Sequence, residues 1–266
     1  MRARVDGVAG DGALVLCYHA VSERWRSPLA VSAADLERQL AGLLERGYRP
    51  ARFTDAVLRP PAPKTLAVTF DDAYRSVHRL ALPVLRRLGV PATVFAPTAF
   101  IGQAKPMRWP GIDQWADGPS APELVPMSWD ELGELAEEGW EVGSHTRTHP
   151  HLPALDPARV LAELEASRSE CEARLGRGCT ALAYPYGEHS PAVVAAAARA
   201  GYQAAGALAR YVQQPAPLTW PRIGIYGGDG PLRFRIKVSP AARRLRRSRA
   251  WRARLLLRRG RQAGAR

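Results

Sequence analysis

The chain has 266 residues, enough for one large α/β domain with a full hydrophobic core. Hydrophobic residues make up 46% and charged residues 24% of it, which is ordinary for a globular protein. No apolar stretch approaches the roughly 20 residues that span a bilayer, and residues 1–12 lack the apolar segment of a signal peptide. These features exclude an integral membrane protein and predict a cytoplasmic location.

The net charge of +13 is concentrated at the C-terminus. Residues 230–266 hold 14 Lys and Arg and no acidic residue, whereas residues 1–229 hold 24 basic and 25 acidic residues. The basic segment over residues 240–266 predicts peripheral contact with the anionic inner face of a membrane. A solvated tail is the alternative, and nucleic acid is the least favoured partner. Co-sedimentation with anionic liposomes at low and high salt tests this contact.

Apolar strand-like runs alternate with helical patterns in the first part of the chain. In chain order they predict a strand, a helix, a strand, a helix and a strand over residues 13–18, 32–47, 65–70, 74–88 and 92–96. Ser32 is expected to cap the first helix, and Pro83 is expected to kink the second.

Residues 102–126 then form an irregular insertion that contains several Gly and Pro, and long loops of this kind are often functional. The following elements are a helix, a strand, a helix, a strand and a helix over residues 128–139, 140–142, 158–175, 181–184 and 190–200. Ser128 and Glu131 predict a capping box at the first of these helices. Alternating apolar and basic residues over 232–238 predict an exposed edge strand.

Apolar strands separated by helices predict a parallel sheet. We expect an irregular (β/α) barrel of about seven strands over residues 13–238, with an N-terminal extension (1–12) and an Arg-rich C-terminal helix or tail (239–266). No Gly-x-Gly-x-x-Gly motif follows the first strand, which disfavours a dinucleotide-binding domain.

Three cysteines are present, Cys17, Cys171 and Cys179, and none forms a Cys-x-x-Cys pair. The odd count predicts free thiols, with a Cys171–Cys179 disulfide as the alternative.

Carboxylates and imidazoles follow several predicted strands, namely at His19, Asp71, Asp72, His145 and His149. In parallel α/β folds, the C-terminal ends of the strands form the active-site edge. One carboxylate and two imidazoles make a complete three-ligand metal set with a position left for water. Each pair alone has an ordinary explanation. Adjacent aspartates are favoured at a helix N-terminus, and two histidines four residues apart can lie on an exposed surface. Together they predict a metal site.

Three segments resemble the first three motifs of the NodB-type polysaccharide deacetylases, carbohydrate esterase family four. They are Leu66–Asp72, Ser144–Pro150 and Ala183–Gly187, and they occur in the family's order. The resemblance extends over about residues 13–228. It implies an irregular (β/α) barrel and a divalent metal, usually zinc, with Co, Ni or Mn as alternatives. It implies further that the metal ligands are Asp72, His145 and His149, that Asp71 is the general base, and that the Tyr186 backbone N–H binds the oxyanion.

Two departures from the family's motifs matter. The third motif often carries an arginine before its Pro-aromatic pair, but this chain has none there, and Arg222 is the candidate replacement. No histidine follows His189 to act as the general acid. A circularly permuted branch, similar to the deacetylases of poly-N-acetylglucosamine, takes this histidine from an N-terminal Tyr-His motif. Tyr18-His19 matches that motif, so His19 is the expected acid.

These residues predict a metal-dependent hydrolase that removes N-acetyl groups from amino sugars of a polysaccharide or lipid-linked glycan. Tyr184, Pro185 and Trp220 are the expected sugar contacts. An O-acetyl esterase or N-deformylase could use the same site. A catalytically silent carbohydrate-binding protein, attached to a membrane through its tail, is an alternative of another class. A non-haem iron oxygenase shares the ligand set but is disfavoured by the alternating strand–helix pattern.

Overall fold

The computed structural model describes residues 12–59, 62–208 and 215–247, and in them seven parallel strands close into a barrel. The strands are β1 (Leu14–Tyr18), β2 (Ala20–Val21), β3 (Ala30–Val31), β4 (Arg49–Ala51), β5 (Thr65–Phe70), β6 (Ala92–Ala96), β7 (Glu141–Ser144), β8 (Ala181–Ala183), β9 (Ala204–Leu208) and β10 (Trp220–Gly224). The barrel runs from β1 through β5, β6, β7, β8, β9 and β10, and β10 pairs back with β1. The predicted barrel is therefore confirmed.

Helices follow most barrel strands. They are α1 (Ala33–Glu45), α2 (Phe53–Leu58), α3 (Leu82–Leu88), α4 (Trp129–Glu137), α5 (Pro157–Leu175), α6 (Pro191–Arg199), α7 (Pro231–Val238) and α8 (Pro240–Arg247). The Ser32 hydroxyl accepts the Asp35 N–H at 3.0 Å, and Ser128 with Glu131 forms the predicted capping box. These local signals placed the helix starts correctly because caps satisfy backbone N–H groups that have no partner within the helix.

The helix predicted over residues 74–88 begins later and is divided. A π-helical turn covers Val77–Ala81, and α3 then starts at Leu82 with Pro83 in its first turn. Proline has no N–H to donate to a carbonyl four residues earlier, so it is tolerated at a helix start. The irregularity predicted at Pro83 therefore lies in the turn that precedes it.

The edge strand predicted over residues 232–238 is wrong, because this segment forms helix α7. Phe234 and Val238 are four residues apart and are both buried, whereas Leu232 and Ile236 lie on the exposed side. An alternating pattern of four apolar residues also satisfies the i, i+4 spacing of a helix. Gly230 and Pro231 at the helix start decide between the two.

Small side chains fill much of the barrel interior. Ala67, Ala181, Ala183 and Ala204 form one cluster with three larger side chains, Phe53, Phe95 and Trp220. Phe53 comes from α2, and its backbone N–H donates to the Thr93 hydroxyl at 2.9 Å, near the start of β6. Helix α2 therefore closes the N-terminal end of the barrel and leaves the C-terminal end open for a site.

All three cysteines are buried free thiols. In the part of the chain that the structure covers, no helix has the length and apolar character needed to cross a membrane. The predicted basic tail falls within the described residues only as far as α8, and residues 1–11 lie outside them. Membrane contact through residues 240–266 therefore stays a prediction.

The dense barrel interior predicts opposite effects for two Gly→Ala substitutions. A Cβ on Gly143 in β7 would lie 2.7 Å from the Phe95 ring, so we expect Gly143→Ala to lower the free energy of unfolding by about 1–3 kcal/mol. A Cβ on Gly133 in α4 meets nothing within 4 Å, so Gly133→Ala should raise it by about 0.5–1 kcal/mol. Urea unfolding measures both, and equal effects would contradict this packing.

Candidate metal centre and catalytic site

Three buried acceptor groups face one another at the C-terminal end of the barrel. An Asp72 carboxylate oxygen lies 3.3 Å from His145 Nε2 and 3.4 Å from His149 Nε2. This oxygen has no hydrogen-bond partner although it is buried. Buried polar atoms are rarely left unsatisfied, and a cation would satisfy all three groups at once. The described residues thus fit a divalent metal held by Asp72, His145 and His149.

Hydrogen bonding, burial and ring stacking orient the two imidazoles towards Asp72. His145 Nδ1 donates to the Ala183 carbonyl at 2.8 Å, which leaves the Nε2 lone pair directed towards Asp72. Burial lowers the pKa of His149 to about 3, so this ring is uncharged at neutral pH. Trp109 stacks on His149 at 4.2 Å between ring centroids and restricts the rotation of that ring.

Unusual backbone conformations bring these side chains together. Most non-glycine residues with positive φ lie in the site segments, and they are Asp72, Ala73, Thr146, His149 and Tyr186. Such conformations are disfavoured and are typical of functional sites. Glu163 of α5 stabilises the loop after β7, because its carboxylate accepts the N–H groups of Arg147 and Thr148 at 2.9 and 2.8 Å.

Asp71 points into the barrel and pairs with Arg222. The two guanidinium N–H groups of Arg222 donate to the two Asp71 oxygens at 2.6 and 2.8 Å. Arg222 also donates to the Thr69 hydroxyl at 3.1 Å and lies 5.3 Å from the Phe95 ring centre. Burial alone would raise the pKa of Asp71, but Arg222 and His145 outweigh it and hold the pKa well below its usual range. Asp71 is therefore ionised at any working pH.

His19 follows β1 and lies beside Asp71. A ring nitrogen of His19, the Cys17 thiol and an Asp71 oxygen lie within 4.8 Å of one another. The His19 ring stacks on Tyr226 at 6.4 Å, and its buried Nδ1 has no hydrogen-bond partner. The structure therefore places one imidazole on the side of Asp71 that faces the cavity.

The insertion over residues 102–126 covers the candidate metal centre. The Tyr186 hydroxyl donates to the Pro110 carbonyl at 3.3 Å, and His151 stacks on the Tyr186 ring at 3.9 Å. Burial raises the pKa of Tyr186 to about 12. Below this cover lies a cavity of about 170 Å³ that is lined by the candidate ligands Asp72, His145 and His149 and by Asp71 and His19. Its apolar wall consists of Leu29, Trp109, Pro110, Ile112 and Leu208.

Three expected sugar contacts do not line this cavity. Trp220 lies at the start of β10, next to Gly12, and packs inside the N-terminal end of the barrel. Tyr184 is fully buried and donates to the Leu218 carbonyl at 3.0 Å, and the neighbouring Pro185 is buried as well. We correct these assignments because inward or buried side chains at these positions serve packing rather than substrate contact.

Sequence reasoning missed several residues of the site. Leu29 and Leu208 have no signal beyond their apolar character, and Glu163 lies on a helix that looks ordinary. The thiol of Cys17 donates to Asp71 at 3.3 Å, although its place inside an apolar strand predicts only a core residue. Among these parts of the site, only the insertion over residues 102–126 could be recognised from the sequence, through its length and its tryptophans.

Comparisons with known proteins agree with this architecture. The family model described as polysaccharide deacetylase matches residues 59–205, and the chain belongs to this family. The resemblance inferred from the three motifs is therefore confirmed. The structure of IcaB from Ammonifex degensii superposes with a TM-score of 0.68 at 25% identity, and the match covers 90% of this chain and 98% of that one.

Two curated relatives are similar in sequence. YxkH from Bacillus subtilis is 26% identical over 194 residues, which is 71% of this chain and 62% of that protein. The poly-β-1,6-N-acetyl-D-glucosamine N-deacetylase of Escherichia coli K12 is 26% identical over 154 residues, 51% of this chain and 21% of that enzyme. The chain thus spans less than two thirds of the length of either relative.

The buried ion pair between Asp71 and Arg222 predicts a large loss in the free energy of unfolding when one partner is removed. Arg222→Met leaves the Asp71 carboxylate without a counter-charge inside the barrel, so we expect unfolding to require about 3–5 kcal/mol less. The double variant Asp71→Asn/Arg222→Met has no unpaired charge and should regain much of this loss. Urea unfolding of the two variants decides, and a loss below about 1 kcal/mol in Arg222→Met would contradict the pairing.

Proposed function

We propose that this protein is a metal-dependent hydrolase that removes the N-acetyl group from an amino sugar. The observation that carries the proposal is the pairing of the two adjacent aspartates with different partners. Asp72 faces two imidazoles, those of His145 and His149, and Asp71 is held ionised by Arg222. Membership of the polysaccharide deacetylase family supports the reaction class, and the name of the E. coli relative supports the N-acetyl bond.

The reaction needs help at two points, because an amide carbonyl is a weak electrophile and water is a weak nucleophile. Asp72, His145 and His149 would hold the metal, for which zinc suits a site with two imidazoles and one carboxylate. Such an ion, when bound, polarises a carbonyl and lowers the pKa of a water molecule. Proton transfer and stabilisation of the oxyanion are assigned to residues of the chain.

Asp71 accepts the proton of the attacking water. Its carboxylate lies in the same cavity as the ligands, and Arg222 fixes both of its oxygens. A positioned base of this kind accelerates a reaction by about 10²–10⁴-fold. The Tyr186 backbone N–H, which lies in the left-handed turn after β8, is the donor that we assign to the developing oxyanion.

His19 donates a proton to the leaving nitrogen. An amine anion is too basic to leave at neutral pH, so the C–N bond breaks only when an acid protonates the nitrogen. His19 lines the cavity next to Asp71, and histidine side chains exchange protons near neutral pH. The apolar wall next to it, which includes Leu29 and Leu208, suits the methyl group of an acetyl substituent.

Separate roles for the two aspartates predict separable losses. Asp72→Asn should abolish stoichiometric metal binding, because it removes the anionic ligand. Asp71→Asn should keep the metal but lower kcat by about 10²–10⁴-fold, because it removes the proton acceptor. Metal analysis of the purified variants and acetate release from N-acetylglucosamine oligomers measure the two effects. Full turnover by metal-loaded Asp71→Asn would show that this division is wrong.

The role of His19 predicts a dependence on the leaving group. His19→Gln should slow acetate release from an N-acetyl sugar by about 10²-fold or more, because the amine needs a proton. The same variant should slow 4-nitrophenyl acetate hydrolysis far less, because a phenolate leaves without protonation. Equal losses on the amide and the ester would mean that His19 serves binding or folding instead.

A further inference from the structure

A second groove adjoins the catalytic cavity on the side of His19. Pro28 and Ala30 line it, and Leu29 between them lines the catalytic cavity. Tyr226, which stacks on His19, forms another part of its wall. With a volume of about 580 Å³, the groove can hold a substituent larger than an acetyl group.

The groove is a built feature, because its two walls are fastened together. The Gly227 N–H donates to the Pro28 carbonyl at 2.9 Å, and a Cβ on Gly227 would lie 2.5 Å from the Ala30 carbonyl oxygen. The buried Asp229 carboxylate accepts the Tyr226 N–H at 2.9 Å and pairs with Lys237 of α7. These contacts hold the loop after β10 against the segment after β2.

The charge of the groove is positive. Arg26 and Arg233 line it, and the part of the chain described here places no carboxylate within ion-pair distance of Arg26. Arg233 lies 3.0 Å from Asp229, whose single charge is already matched by Lys237. Guanidinium groups bind carboxylates and phosphates through paired N–H groups. The groove therefore favours an anionic group.

The covalent structure of an amino sugar limits which of its ring substituents can reach this groove. His19 protonates the amide nitrogen, and in a 2-acetamido sugar that nitrogen is bonded to C2. The neighbouring positions are C1 and C3, so a groove beside His19 receives the group on one of these two carbons. We propose that the preferred substrate is an amino sugar with an anionic substituent at C1 or C3, bound by Arg26 and Arg233. This inference rests on the proposed deacetylase function and names its substrate class.

Two chemical sources provide such an anion, a phosphate on C1 and a carboxylate on an ether substituent of C3. N-acetylglucosamine 1-phosphate and N-acetylmuramic acid represent them, and N-acetylglucosamine and its neutral dimer are the uncharged references. The measured quantity is the ratio of kcat/KM for each anionic sugar to that for N-acetylglucosamine, with the metal-loaded full-length protein. We expect at least one anionic sugar to be preferred by about tenfold at low salt. The preference should shrink at high ionic strength, which screens exposed charges.

Substitutions in the groove test the assignment of the residues. Arg26→Gln/Arg233→Gln should reduce the ratio by about three- to tenfold. Gly228 lies in the groove, and a Cβ there meets nothing within 4 Å, so Gly228→Asp adds a negative charge without a steric clash. It should reduce the ratio, whereas the matched neutral variant Gly228→Asn should preserve it. Arg79→Gln removes an exposed charge that does not line the groove, and it controls for net charge.

Binding of N-acetylglucosamine 1-phosphate, measured by calorimetry, gives a second readout that does not depend on turnover. Gly228→Asp should weaken it several-fold, and Gly228→Asn should not. A ratio of one in the parent protein, or equal ratios in Gly228→Asp and Gly228→Asn, would overturn the inference while leaving deacetylation of neutral sugars intact. Absence of acetate release from every sugar would instead contradict the proposed function.

Discussion

The two adjacent carboxylates at the end of β5, Asp71 and Asp72, repel each other, and the structure reduces this repulsion by directing them to different partners. One carboxylate pairs with a guanidinium and the other faces two imidazoles. Asp71 continues the inward alternation of the strand and meets Arg222 inside the barrel. Asp72 adopts a left-handed backbone conformation and turns across the rim to His145 and His149. The two carboxylates can therefore lie side by side without sharing a proton, as their proposed roles of base and metal ligand require.

This arrangement requires an unusual barrel interior. Burying a guanidinium costs free energy unless neighbouring groups replace its contacts with water. Arg222 donates two hydrogen bonds to Asp71 and one to Thr69, and it lies over the ring of Phe95. It also requires room, which small residues provide. A Cβ on Gly206 would lie 2.5 Å from Arg222, so β9 cannot carry a larger side chain there. The interior layers of the barrel are thus arranged around the partner of one carboxylate.

Loops complete the site that the strands begin. The charged groups come from strand ends, whereas the cover and most of the apolar wall come from residues 102–126 and from Leu29, with Leu208 added at the end of β9. The loop after β10 contributes Tyr226, which stacks on His19, and the cationic groove beside it. A scaffold that fixes the reactive groups while loops shape the surroundings is a common property of (β/α) barrels. In the proposed function, it separates the chemistry of deacetylation from the choice of sugar.

Apolar runs and capping residues act through local contacts, and from them the sequence predicts five of the seven barrel strands (β1, β5, β6, β7 and β8), the helix caps and the residues that could bind a metal. It does not predict β9 or β10. It failed where one pattern fits two structures, as at residues 232–238, since four alternating apolar residues satisfy both strand and helix. It also failed for Tyr184 and Trp220, because an aromatic residue near a motif does not reveal which way its side chain points. Arg222 is only a candidate in the sequence, and the folded barrel establishes its contact with Asp71, 151 residues away. The fold likewise places Leu29 in the cavity wall and the Tyr226 ring against His19. Barrel closure sets these contacts, since it brings β10 beside β1 and so fixes which side chains face each other.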